Sequence, residues 1–144
     1  MLHTHSRRTF VCVCVAALAA ALFPARIVRA ATLRQRPRGP HPTPRPGITG
    51  ARVLATEQLG GKAQLVSLFD SVRNIPEVID GIRCNCGCAL YGGDFYSLLS
   101  CFEGKDAMAK ECAVCQGQGR LVARLHKAGK SLDEICSAVD AKFG

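Results

Sequence analysis

The stretch Ile82-Arg83-Cys84-Asn85-Cys86-Gly87-Cys88 places three thiols within five residues, a crowding that packing alone rarely demands. Cys-x-Cys-x-Cys cannot share one helix face, because helical neighbours lie three or four residues apart. In an extended loop alternate side chains point to the same side, so the sulfurs can converge on one point. A disulfide within the motif would close a small, strained ring. The loop therefore seeks partners elsewhere, and Cys101, Cys112 and Cys115 are the available ones. Cys112-x-x-Cys115 sets two sulfurs on one face of a helix.

Two further cysteines, Cys12 and Cys14, fall in a different kind of segment. Arg7-Arg8 precedes an uncharged apolar run from Phe10 to Phe23, about 14 residues where a membrane-spanning helix needs about 20. Residues 1–30 therefore read as a signal peptide of twin-arginine type, cleaved near Ala30, and Cys12 and Cys14 leave with it. The implied route carries folded proteins, which gives an exported, periplasmic location with no stable membrane anchor after cleavage. Residues 31–50 hold five prolines between Pro37 and Pro46, four arginines and no acid. With so little apolar surface they read as a disordered tether.

The formal charge of +8 belongs to those two segments, since residues 51–144 carry eleven Lys/Arg against eleven Asp/Glu. A nucleic-acid-binding domain should show a net basic face of its own, and this one is neutral. Its 94 residues can bury one modest core, which gains from cross-links or a metal.

The apolar pattern of 51–144 is helical, and an all-α fold is expected. Leu65, Leu68, Phe69 and Val72 follow i, i+3, i+4, i+7. Pro76 opens a short helix closed by Gly81. Phe95, Leu98, Leu99 and Phe102 show helical spacing with Asp94 as N-cap, and a long helix is predicted over 106–127, closed at Gly129. Ser131 and Glu134 form a capping box for a last helix with Leu132, Ile135, Cys136, Val139 and Phe143 on its face. Gly117 and Gly119 fall inside the predicted long helix. Each costs about 1 kcal/mol there relative to alanine, so either a close neighbour such as the cysteine loop requires them or the helix breaks.

Soft thiolates select Cu(I), Zn(II) or, third in order, an iron–sulfur cluster. The ligands expected from the sequence are Cys84, Cys86, Cys88, Cys112 and Cys115, joined by Cys101. A chain folded before export meets a reducing cytosol first, where a metal can order the loop. Two alternatives stay open: a thiol–disulfide relay using Cys112 and Cys115, and a framework of static disulfides. In a helix over 106–127 the Cys112-x-x-Cys115 pair lies about two turns in and gains little from the helix N-terminus, which counts against the relay. His126, eleven residues beyond Cys115, is about 16 Å along the helix and reads as a C-terminal charge. Cys136 reads as a small buried apolar residue. No paired carboxylates or nucleophile–base arrangement points to a hydrolase or transferase.

Four elements in order, Cys84-Asn85-Cys86-Gly87-Cys88, Leu98-Leu99-Ser100-Cys101-Phe102, Cys112-Ala113-Val114-Cys115 and the closing run from Gly129 to Gly144, resemble the PCYCGC, or CYCxC, family of exported bacterial cysteine-rich proteins. The likeness covers most of 75–144. The family motif opens Pro-Cys-Tyr where this chain has Arg83-Cys84-Asn85, and a histidine associated with the segment before the Cys-Phe element is absent between Cys88 and Cys101, so a ligand set here would be all-sulfur. The family includes selenocysteine versions, which implies thiol redox or metal chemistry. The expected protein is a small, exported metal chaperone, store or structural metal domain whose partner is a metal donor or acceptor, or a thiol-redox protein on the alternative reading.

Overall fold

The computed structural model describes residues 39–87 and 95–144, all within the compact unit Gly39–Gly144. The signal peptide, residues 31–38 of the tether, Cys88 and the Asp94 cap lie outside the described residues.

Among the described residues the fold is all-α, with four α-helices, short 3₁₀ turns, no strand and one isolated antiparallel bridge between Val53 and Glu103. α1 spans Ala63–Asn74, α2 Pro76–Asp80, α3 Ala113–Lys127 and α4 Leu132–Phe143. α1 forms where its periodicity placed it and buries Leu65, Leu68, Phe69 and Val72. Proline opens α2 and Gly81 caps it. α3 ends ahead of Gly129, which takes a left-handed φ of 74°. In α4 the Ser131 hydroxyl accepts the Glu134 N–H at 3.3 Å and the Glu134 carboxylate accepts the Ser131 N–H at 2.9 Å, completing the capping box. No described helix is long and apolar enough to cross a membrane.

α3 is the centre of the assembly, packing against α1, α2 and α4. Phe69 and Phe102 meet edge to face with ring centroids 5.0 Å apart, a favourable arrangement for buried aromatics. α3 runs unbroken through both glycines. A Cβ on Gly119 would stand 2.8 Å from the Phe102 ring and 3.1 Å from Leu68, so the close neighbour that requires glycine is an aromatic core residue rather than the cysteine loop.

Three expectations need correction. The helix predicted from Phe95 is only a 3₁₀ turn, Leu99–Phe102, although Leu98, Leu99 and Phe102 are buried as their spacing implied. The long helix does not start near Asp106: a 3₁₀ turn, Met108–Lys110, comes first, and α3 proper begins at Ala113 with Cys112 as its N-cap. The tether is not wholly disordered, because residues 39–50 lie against the domain. Arg45 clamps the buried Asp80 carboxylate from its backbone N–H at 2.8 Å, from Nε at 3.0 Å and from Nη2 at 2.7 Å. Tyr96 donates to the Thr43 carbonyl at 2.6 Å, and Arg45 lies over its ring. His41 Nδ1 accepts the Arg83 N–H at 3.0 Å. Its Nε2 stands 3.2 Å from the Asp140 carboxylate without forming a hydrogen bond to it. The prolines prepay the entropy of this extended strap, and a buried carboxylate that must be paired supplies its anchor.

Candidate metal centre

The sulfurs come from three places in the fold. Cys84 and Cys86 sit on the loop after α2, Cys101 on the 3₁₀ turn Leu99–Phe102, and Cys115 in the first turn of α3. Gly87, at φ 85°, turns the chain directly after Cys86 in a conformation other residues rarely adopt. The loop is therefore a turn rather than the extended run the sequence suggested, and it still brings its sulfurs together: Cys84 Sγ lies 3.1 Å from Cys86 Sγ and 3.7 Å from Cys115 Sγ. All four sulfurs, of Cys84, Cys86, Cys101 and Cys115, lie within 4.8 Å of one another, which is close enough to hold a metal ion.

Of the six expected ligands, four are thus gathered. Cys88 lies outside the described residues. Cys112 is not part of the quartet; it is half-buried at the N-cap of α3, where its sulfur accepts the Cys115 N–H at 3.5 Å. Cys136 stays away from the cluster, its sulfur against the Gly81 carbonyl at 3.8 Å, and burial, with Asp133 and Asp140, pushes its pKa up. His126 is exposed near the end of α3.

The sulfurs are not in equivalent states. Cys84, Cys101, Cys112, Cys115 and Cys136 are free thiols, whereas Cys86 is disulfide-bonded. Hydrogen bonds from Cys101 and then Cys115 bring the Cys84 pKa far below that of an ordinary thiol, outweighing burial. Cys115 moves the opposite way, because its bonds to Cys101 and Cys84 and its burial hold its proton. Cys101 also rises: a bond from Cys115 opposes the shift, but the bond to Cys84 and burial outweigh it. The two buried thiols thus favour ionisation at Cys84 over ionisation at Cys101 or Cys115, as expected where water cannot solvate the charge.

The residue that sequence reasoning missed is Gln118, which is fully buried. Its Oε1 accepts the Asn85 N–H at 3.1 Å and its Nε2 donates to the Arg83 carbonyl at 3.3 Å, gripping the backbone on both sides of Cys84. A signal was present: Gln118 is one turn beyond Cys115 on the same face of α3, and a buried amide there requires partners. Arg83 ties the loop to the end of α4 through Asp140 at 2.6 Å. Asn85 Nδ2 is buried without a hydrogen-bond partner among the described residues, which leaves a donor between the two loop cysteines.

Compared with protein-family models, with curated proteins and with solved structures, the chain matches none.

Proposed function

We propose that this domain binds a soft metal ion, Cu(I) or Zn(II), through Cys84, Cys101 and Cys115, with Cys86 as the fourth ligand once its disulfide is reduced. The observation that carries the reading is the gathering of four sulfurs from three separate elements into one cluster. Sulfurs bound to one zinc at about 2.3 Å stand roughly 3.8 Å apart in a tetrahedron; the Cys84–Cys115 separation of 3.7 Å is near that value, and the Cys84–Cys86 separation of 3.1 Å is shorter and must open to admit an ion. With Cys86 oxidised, three thiols remain, a set suited to Cu(I), which accepts fewer ligands than the four of structural Zn(II). Binding requires thiolates, so the protons of Cys101 and Cys115 leave as the ion enters. The all-sulfur donor set, closed by a buried helix turn and a clamped loop, favours holding or passing on a metal over catalysis, which needs an open coordination position.

Titration of the fully reduced chain with Zn(II) and, separately, with Cu(I) under anaerobic conditions tests this. Uptake of at least one equivalent, lost in Cys101→Ser and kept in Cys136→Ser, is expected. A reduced chain that retains no metal after desalting rules the reading out.

One observation favours a second reading, a thiol–disulfide relay. Cys112 and Cys115 occupy the N-cap and first turn of α3 rather than its interior, the helix-terminal setting in which reactive Cys-x-x-Cys pairs are found. The objection drawn from the sequence therefore falls. Formation of a Cys112–Cys115 disulfide in a chain that takes up no metal would decide for the relay.

A further inference from the structure

Cys101 and Cys115, two of the three free thiols in the quartet, have no exposed surface, so the thiols an arriving ion can meet first are the half-buried Cys84, within the quartet, and Cys112, beside it. Of these two, Cys112 is the one outside the quartet and so the one free to let an ion go. It is half-buried, free, and one helical turn before Cys115, whose N–H its sulfur accepts. Its own N–H is held by the Met108 carbonyl at 3.0 Å. Met108, 40% exposed, and Val114, 36% exposed, are two of the three exposed large apolar residues described, and both lie within four positions of Cys112. Cys112 is thus a soft thiol one helical turn from a soft thiol cluster, with an exposed thioether, Met108, one turn before it in the chain.

Building on the metal-binding reading, we propose that Cys112 is the exchange ligand of this site: it takes Cu(I) from a thiolate or thioether carrier and passes it to Cys115 and the rest of the quartet, without joining the final coordination set. In each step one Cu–S bond forms as another breaks. As Cu(I) binds Cys112 the carrier's ligand departs and the Cys112 proton goes to that ligand or to water. As Cu(I) moves inward the Cys115 proton returns to Cys112, and as Cys84 and Cys101 replace the carrier's remaining ligand the Cys101 proton goes to that ligand or to water. Copper stays Cu(I) throughout, so no oxidant or reductant is required.

The test is stopped-flow transfer of Cu(I) from its bicinchoninate complex to the reduced full chain, alongside equilibrium stoichiometry. Cys112→Ser preserves the cap, since serine is a favoured N-cap residue. It should keep the wild-type copper content while slowing transfer by roughly tenfold or more, the scale on which losing one partner around a metal is felt. Transfer as fast as wild type would overturn the proposal. So would loss of a copper equivalent, which would make Cys112 a resident ligand. A wild-type chain that binds no copper would instead remove the metal reading on which this rests, and the proposal with it.

Discussion

Gln118 decides whether the cysteine loop has a fixed shape. Its amide takes up a donor and an acceptor that flank Cys84, and both would otherwise be buried unpaired. Replacing it with leucine keeps the volume but strands both, at a cost of about 1–3 kcal/mol. Gln118→Leu should lower stability by that amount and speed amide exchange at Asn85 and Cys86. Gln64→Leu, on the exposed side of α1, should do neither, and unchanged exchange in Gln118→Leu would show that the loop is held by other means. At this scale the sequence was informative about sulfur and less so about its surroundings. Cys84, Cys86, Cys101 and Cys115 were expected together from residue type and spacing alone. The separation of Cys112 from them was not, because it depends on where α3 starts.

That start illustrates what periodicity misses. Met108, Ala109, Cys112 and Cys115 continue an i, i+3 pattern through the 3₁₀ turn and into α3, so spacing does not register the change of helix type. The signal that would mark it, a capping oxygen, is replaced by a cysteine sulfur. α4, whose Ser131 and Glu134 form an ordinary capping box, was placed correctly from sequence for the complementary reason. The strap at 39–50 was missed because an argument from apolar content does not weigh a single polar anchor. Burial alone would raise the Asp80 pKa, but hydrogen bonds from Arg45 and Ser97 outweigh it and leave it below its ordinary value. A carboxylate depressed in the folded state contributes stability that is present above the ordinary value of 3.8. That contribution is lost as the pH falls through the lower folded value. Arg45→Ala should cost roughly 1–3 kcal/mol at neutral pH, less than a fully buried pair would, because the Arg45 side chain is 40% exposed. It should also flatten the stability loss that begins as the pH falls below the ordinary carboxylate value of 3.8. An unchanged urea midpoint with an unchanged acid limb would mean that the strap does not depend on this clamp.

For the whole molecule, the metal reading and the core are one question, because two proposed ligands, Cys101 and Cys115, are themselves core residues packed with Phe102 and Val122. A zinc finger lacks a core and unfolds without its ion. This domain buries Phe69, Ile79, Ile82, Leu98, Ile135 and Val139 independently of any ion, so the metal-free reduced chain should remain folded with its loop loosened. Binding to the native state alone adds about 2.7 kcal/mol at a free-metal concentration a hundredfold above Kd. For a domain of this size that corresponds to a rise in Tm on the order of 10 °C. The rise should vanish in Cys101→Ser and persist in Cys136→Ser, whose sulfur lies against the Gly81 carbonyl and outside the quartet. Equal melting of the loaded and metal-free reduced chains would separate the sulfur cluster from the fold, leaving it a store that the domain carries without being stabilised by what it holds.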